Sequence, residues 1–582
     1  MSNISLTIDR QRVEVERGTT LLQAAEKLGI HIPTLCYLKD INEVGACRVC
    51  VVEVKGARVL QAACVTPAAE GMEVSTNSPR VLKARRHTLE LILSDHPMEC
   101  LTCIRNQNCE LQSVAEAVGL REVRYQGKTT SYGEDTSTPS IVRNPAKCVL
   151  CRRCISVCQK VQGVSAIQAQ ERGFDTVVAP AFHLPLGEVA CVLCGQCSLV
   201  CPTGAIHEVN QVDEVWAALA DPARHVVVQT APATRVSVGE EFGLPPGSIV
   251  TGKMVAALRR LGFDRVFDTD FTADLTIMEE GHELIRRVKE GGPLPLFTSC
   301  SPGWIKFIEH FYPGLLPHLS TCKSPQQMFG ALAKTYYAEK AGIDPASIYV
   351  VSIMPCTAKK FEAARPEMSS SGYRDVDAVL TTRELGRMLR EAGIDFNVLP
   401  EEDYDAPLGI STGAAAIFGA TGGVMEAALR TAYEVITGRP LADINITPVR
   451  GLDGIKEASV PLNGLTLKAA VSHGLGNARK LMDLAVEGKA DYHFIEIMCC
   501  PGGCIGGGGQ PIPTDIGIRR RRLEAIYGVD ERMALRKSHE NPAVTALYQE
   551  FLGEPLGHRS HELLHTHYIA RESVPRKEGA GK

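Results

Sequence analysis

No stretch of this sequence approaches the roughly 18 consecutive apolar residues of a membrane helix, and Met1–Arg10 lacks the profile of a secretory leader. The expectation is a soluble, cytoplasmic chain with no membrane span. An excess of one charge is also lacking. A formal net charge of −5 over 582 residues points to no nucleic acid, and the run Arg519–Arg522 reads as a solvated face or a partner contact. No nicotinamide fingerprint is present, so any NAD(P) chemistry needs a partner subunit. Nor are the cysteines spread as a disulfide framework spreads them. Of 21, fifteen lie between Cys36 and Cys201, most in C-x-x-C spacing, and six between Cys300 and Cys504. Thiols clustered in a large chain that lives in a reducing compartment are metal ligands. At about 150 residues per domain, the length predicts three to five domains.

The first 210 residues hold four cysteine sets. Residues 4–16 alternate as a hairpin around Asp9-Arg10-Gln11, and Thr20 with Gln23 makes a capping box for a helix that Gly29 ends. Cys36, Cys47, Cys50 and Cys64 follow. Hairpin, helix and cysteine loop over residues 1–80 look like a β-grasp ferredoxin holding one [2Fe–2S] cluster; a zinc ribbon would pair two tight knuckles instead of one. Residues 81–137 contain a helix over Val81–Leu93 and then His96-x3-Cys100-x2-Cys103-x5-Cys109. That spacing resembles the His/Cys3 [4Fe–4S] site of the large iron–sulfur subunit of respiratory complex I and of iron-only hydrogenases. Residues 138–210 contain a repeat: Cys148-x2-Cys151-x2-Cys154-x3-Cys158 is matched by Cys191-x2-Cys194-x2-Cys197-x3-Cys201-Pro202. In the two-cluster ferredoxin run the fourth cysteine ligates the other cluster. One cubane therefore takes Cys148, Cys151, Cys154 and Cys201, the other Cys158, Cys191, Cys194 and Cys197. Four clusters in a row are a wire for single electrons, with a hinge expected near Gln126–Ser140.

From Arg224 the pattern alternates strands (near His225–Thr230, Arg265–Asp268, Leu294–Thr298, Tyr349–Ile353, Val376–Thr381 and Tyr492–Met498) with helices such as Leu275–Val288 and Pro325–Ala338. That order predicts largely parallel sheets with helices outside. Three strands run into cysteine: Leu294–Ser299 into Cys300-Ser301-Pro302-Gly303-Trp304, Ile348–Ile353 into Met354-Pro355-Cys356, and Phe494–Met498 into Cys499-Cys500-Pro501-Gly502-Gly503-Cys504. Ligands gather at the carboxyl ends of strands in α/β folds, so these segments should converge. The expected fold class is multidomain α+β: β-grasp ferredoxin, His/Cys3 domain, two-cluster ferredoxin domain, an α/β catalytic domain over 211–513 and a small helical region over 514–582.

The three cysteine-ended segments resemble the T-S-C-C-P-x-W, M-P-C-x-x-K and M-x-C-x-x-G-C signatures of the clostridial-type iron-only, or [FeFe], hydrogenases, and the likeness runs the full length. Thr276–Glu280, Ser324-Pro325-Gln326-Gln327 and Phe418–Gly423 match as well. The resemblance implies an H-cluster, a [4Fe–4S] cubane bridged to a two-iron unit carrying CO, cyanide and an azadithiolate. By motif Cys356, Cys500 and Cys504 hold the cubane, Cys504 bridges, Lys359 pairs with a cyanide, and Met354 and Met498 pack near the irons. The implied proton route is Cys300, Glu280, Ser320, Glu283; Glu280 and Glu283 share a helix face. The chain departs from the pattern at Ser301, where the family has the cubane's fourth cysteine. Three readings stay open: Ser301 ligates as an alkoxide, Cys300 shifts into the ligand slot, or Cys499 helps. The implied partners are H2 and protons, a ferredoxin or flavin- and NAD(P)-binding subunits, and maturation proteins.

Two motifs are weaker. His561-Glu562-Leu563-Leu564-His565 has the zincin pattern without an evident third ligand, and Gly247-x4-Gly252-Lys253-Met254 resembles a P-loop but puts Met254 where Mg2+ needs a hydroxyl. The glycines Gly506–Gly509 fit close backbone approach. Two competing functions are an electron-transfer subunit of a complex I or formate dehydrogenase assembly, which the cysteine-ended strands disfavour, and a hydrogen-sensing relative, which a missing proton relay would favour.

Overall fold

The computed structural model describes residues 3–127, 129, 132–441, 443–462 and 465–572. Strands β1 (Asn3–Ile8) and β2 (Gln11–Glu16) form the expected hairpin, turned by Asp9 and Arg10 at φ 45° and 68°. With β3 (Val51–Val54), β4 (Gln61–Ala62) and β5 (Glu73–Ser75) they make a sheet in the order β2-β1-β5-β3-β4. Alternation puts Ile4, Leu6, Ile8, Val13 and Val15 on one face, where Leu21, Leu22 and Ala25 of the helix Leu21–Lys27 cover them. The Thr20–Gln23 capping box is present.

Helix Pro79–Leu93 starts at Ser78, whose side chain accepts from the Val81 amide. Its Leu89 packs with Leu35, Val49 and Leu111, so the first cysteine loop rests on the second cysteine domain. In the ferredoxin-like repeat β6 (Ile141–Arg143) pairs antiparallel with β9 (Ile206–Glu208), and β7 (Gln168–Gln170) with β8 (Val177–Ala179). The Gln126–Ser140 linker falls partly outside the described residues; in its described part Asp135 bridges to Arg143.

The catalytic region has two sheets. One is wholly parallel, in the order β11 (Arg265–Asp268), β10 (His225–Thr230), β13 (Ile348–Met354), β14 (Ala378–Thr381). All seven residues of β13 are buried, as a β-branched run in a central parallel strand should be. The second sheet runs β12 (Leu296–Phe297), β17 (Phe494–Met498), β16 (Leu465–His473), β15 (Ile455–Leu462). Its β15–β16 pair is antiparallel, which corrects the expectation of strands alternating with helices here. Pro461 lies in β15, the edge strand, where a missing amide proton costs no ladder bond. The strand expected over Leu294–Thr298 shortens to two residues, in part because Pro295 has no amide to give.

Helix Thr269–Glu290 passes between the sheets. Phe271 and Leu275 pack with Val350 of β13, while Ala273 and Ile277 pack with Phe494 of β17. Buried on most of its surface, it carries Glu279, Glu280 and Glu283 into the interior.

Candidate active site and its electron relay

The carboxyl ends of β12, β13 and β17 meet at one cavity. Its walls include Cys300, Ser301, Cys356, Cys499, Cys500 and Cys504, together with Met354, Met498, Lys359 and Phe418. The three cysteine-ended strands therefore converge as expected. Local bonds fix each segment. Thr298 Oγ1 accepts the Ile497 amide at 3.2 Å and its carbonyl accepts the Trp304 indole N–H at 3.0 Å, tying β12 to β17 just before Cys300. Ser299 Oγ donates to the Cys322 carbonyl at 2.7 Å. Lys359 Nζ donates to the Cys300 carbonyl at 3.1 Å and to Glu362 at 2.8 Å, and Glu362 also accepts from Ser324 and Gln326. Glu362 escaped the sequence reading although it lies one turn from Lys359 on the helix Ala358–Ala363.

Burial pushes the Cys356 thiol well up and Cys504 up to about 12. A metal cation bound there would stabilise the thiolates and displace their protons to solvent. Mostly apolar walls and at least three converging thiols fit the group that the motifs imply. Cys300 lines the same cavity, and its charged neighbours include Glu280, Lys359 and Cys504.

Four further cysteine sets lie together. Cys50 and Cys64 are 3.3 Å apart, the Cys47 amide meets Cys36 Sγ at 3.5 Å, and Cys36 is within bonding reach of Cys64. His96, Cys100, Cys103 and Cys109 line one cavity. His96 Nδ1 is buried without a hydrogen-bond partner, and burial lowers the imidazole to about 4, so it is a neutral donor fit for a metal. Cys148, Cys151, Cys154 and Cys201 line a second cavity, and Cys158, Cys191, Cys194 and Cys197 a third. The crossing of fourth cysteines expected from the repeat is present in space.

The carboxylate route also assembles. Ser320 Oγ donates to Glu283 at 3.1 Å and hydrogen-bonds Glu280, whose carboxyl burial raises to about 8. Glu283 continues to Arg287 at 2.6 Å.

The match to known proteins follows this geometry segment by segment. The family model described as iron only hydrogenase large subunit, C-terminal domain, matches residues 224–508, and iron hydrogenase small subunit matches 516–571. Upstream, a 2Fe-2S iron-sulfur cluster binding domain matches 1–79, the NADH-ubiquinone oxidoreductase-G iron-sulfur binding region 85–124, and a 4Fe-4S dicluster domain 147–205. NADP-reducing hydrogenase subunit HndD of Solidesulfovibrio fructosivorans is 53% identical, over 99% of this chain and 100% of its own. The chain belongs to the iron-only hydrogenase family. Iron hydrogenase 1 of Clostridium pasteurianum is 42% identical over 97% of this chain and 99% of its own. A single-site variant of apo [FeFe]-hydrogenase HydA1 from Chlamydomonas reinhardtii superposes with a TM-score of 0.57 at 49% identity, over 62% of this chain and 100% of that one. The resemblance drawn from the motifs is borne out: this is an H2-acting oxidoreductase with iron–sulfur relay domains on the same polypeptide.

As a member of this family the chain needs neither weaker motif. His565 has both ring nitrogens engaged, by Thr321 at 2.8 Å and Glu279 at 3.1 Å, and His561 only stacks on it at 4.1 Å. Lys253 Nζ is spent on the Asn397 carbonyl at 2.6 Å. The glycine run does allow close approach: a Cβ at Gly507 would lie 2.1 Å from the Pro355 carbonyl oxygen, and one at Gly508 2.3 Å from that of Cys194. Glu279 was missed as a structural centre. It is buried and accepts from Tyr548, Ser560, the Leu556 amide and His565, which locks the C-terminal helices onto the Thr269–Glu290 helix.

Proposed function

We propose that this chain interconverts H2 with two protons and two electrons at an H-cluster and exports the electrons through its own N-terminal clusters. The observation that carries the proposal is the meeting of three cysteine-ended strands at one mostly apolar cavity, with the Cys300–Glu280–Ser320–Glu283 chain of groups leading away from it. Cys356, Cys500 and Cys504 would hold the cubane, with the fourth place falling to Ser301, Cys300 or Cys499. When bound, the two-iron unit supplies a Lewis-acidic open position for H2. Lys359, held by Glu362 and the Cys300 carbonyl, presents an ammonium to its cyanide. Met354 and Met498 keep water from the irons.

The protein's part in proton transfer falls to Cys300, which passes the proton to Glu280, from where Ser320 and Glu283 lead it outward. An intact relay supports turnover over sensing. The ferredoxin repeat would hold two cubanes, His96 with Cys100, Cys103 and Cys109 a third, and Cys36, Cys47, Cys50 and Cys64 a [2Fe–2S] cluster; when bound, these one [2Fe–2S] and three [4Fe–4S] clusters would supply single-electron carriers along the chain. The division at 80, 137, 210 and 513 follows these functions. The NADP-reducing relative supports a flavin- and nicotinamide-binding partner, with a ferredoxin as the other candidate. Among the described residues no helix is long and apolar enough to cross a membrane, in keeping with a cytoplasmic site of action.

The test is H2 uptake with an artificial electron-accepting dye, on protein matured with the two-iron unit. Sustained, CO-sensitive dye reduction is expected. Matured protein that binds CO but does not turn over would support the sensing alternative instead.

A further inference from the structure

His565, which the active site leaves unused, stands at the outer end of the carboxylate route. Groups from three distant parts of the chain form a line there. Thr321 Oγ1 lies 2.8 Å from His565 Nδ1, and His565 Nε2 lies 3.1 Å from Glu279. The same Thr321 hydroxyl reaches Glu283 at 3.3 Å. Glu283 also accepts from Ser320 Oγ and from the Thr321 amide at 3.1 Å each, and from Arg287 at 2.6 Å.

A hydroxyl carries one proton, and this one has two acceptors to serve. Glu279 accepts from Tyr548, Ser560 and the Leu556 amide as well, so it faces His565 as an acceptor and takes the Nε2 proton. In a neutral ring Nδ1 is then an acceptor, and Thr321 donates to it across the shorter of its two contacts. In an imidazolium Nδ1 is a donor, and the Thr321 proton turns to Glu283. That adds a hydrogen bond to the carboxylate, which favours its charged form. Other charged groups frame the ring. The Thr269–Glu290 helix brings Arg287 to Glu283 and Arg286 to His561, which stacks on His565 at 4.1 Å. From the other side the Cys322 thiol comes within 4.8 Å of the ligand atoms of His565 and Glu283.

We propose that His565 sets the charge of Glu283 through the Thr321 hydroxyl, so that acid which ionises the ring keeps the outer carboxylate ready to receive a proton. This deepens the proton route proposed above and rests on it. The atoms that move are the proton bound by His565 and the Thr321 hydroxyl hydrogen, which turns without leaving its oxygen. Thr321 and His565 are positioning residues that act on the reaction through Glu283.

The experiment compares His565→Gln, Thr321→Val and Thr321→Ser with the parent as matured, full-length proteins. Glutamine can hold both bonds of the neutral ring but cannot ionise; valine removes the hydroxyl and serine restores it. Iron content and the infrared CO and cyanide bands should be unchanged in all three. The acid limb of dye-linked H2 oxidation should move up by about one pH unit, a tenfold change in the proton equilibrium, in His565→Gln and Thr321→Val, and return in Thr321→Ser. The infrared carboxyl band that Glu283→Gln removes should titrate with the same shift, and it is read without turnover. Rates lowered equally at every pH, with that titration unmoved, would make His565 a structural clamp and overturn the proposal. Should His565→Gln not fold, Thr321→Val decides, since it leaves the His565–Glu279 bond in place. An inactive parent would strike the hydrogenase reading instead, and the carboxyl titration would still decide the coupling.

Discussion

Among the described residues Glu280 has no charged partner of opposite sign within hydrogen-bonding distance, and burial raises its carboxyl to about 8 while Ser320 lowers it only in part. It therefore holds a proton at neutral pH and sheds it as pH passes that value. H2 evolution, which draws on this proton, should fall above about pH 8, and H2 oxidation, which needs an empty carboxylate, should rise toward it; dye-linked rates in both directions across pH would show this. Glu280→Gln keeps the shape but cannot shuttle, and a lost acid–base step is typically worth ~10²–10⁴ in rate. Cys300 poses a sharper question because Ser301 stands beside it. With its thiol facing Glu280 and Lys359, Cys300→Ala should leave cubane iron and CO bands intact and cut turnover by at least ~10². Depleted iron in that variant would make Cys300 the fourth ligand and move the relay elsewhere.

At the scale of elements, the Thr269–Glu290 helix was legible as a helix but not as a buried one. Glu, Asp and Arg are residue types that ordinarily line a solvated face, and only the packing of two sheets against the helix reveals that Asp274 and Glu279 are interior. Strand β13 was legible because a β-branched run has few other uses; hairpin β15–β16 was not, since Pro461 and the polar residues Glu457 and Ser459 mimic a loop. The three cysteine-ended strands could be placed at one site because strand ends gather ligands. The approach of Gly508 to the Cys194 carbonyl could not, because no local pattern pairs residues from separate domains. Burial on the helix also has a measurable consequence. The Asp274 carboxyl is raised from 3.8 to about 7 by desolvation, against opposing bonds from Thr412 and Asn541. The folded state then keeps a proton that the unfolded chain sheds, so its contribution to stability is whole below the unfolded value and is lost as pH rises through about 7. Thermal unfolding of the wild type should show stability declining over that window, and Asp274→Asn should flatten the decline. An unchanged slope in the variant would place the titrating group elsewhere.

At the scale of the whole molecule the five cysteine-bearing sites form one chain of contacts, not five independent domains. Asn42, in the first cysteine loop, donates to the Cys36 and Cys151 carbonyls at 2.7 and 3.0 Å, spanning the β-grasp domain and the ferredoxin repeat. Cys109 lies 3.6 Å from the Pro202 carbonyl, and Thr357 Oγ1, beside Cys356, donates to the Leu193 carbonyl at 2.8 Å. Electrons can thus cross from the catalytic strands to the β-grasp sheet without leaving packed protein. The proposed relay has the first domain as its exit, and that can be tested without cutting the chain. Cys64→Ser removes one thiolate from the contacting pair Cys50–Cys64, so the full-length protein should lose about two iron atoms, those of a [2Fe–2S] cluster. Dye-linked H2 oxidation should persist, because a small dye collects electrons from clusters further in, while reduction of the natural ferredoxin or flavoprotein partner should cease. If partner reduction survives the loss of that iron, the exit lies at the cluster of His96, Cys100, Cys103 and Cys109, where Met98 and Leu101 stand exposed on the surface.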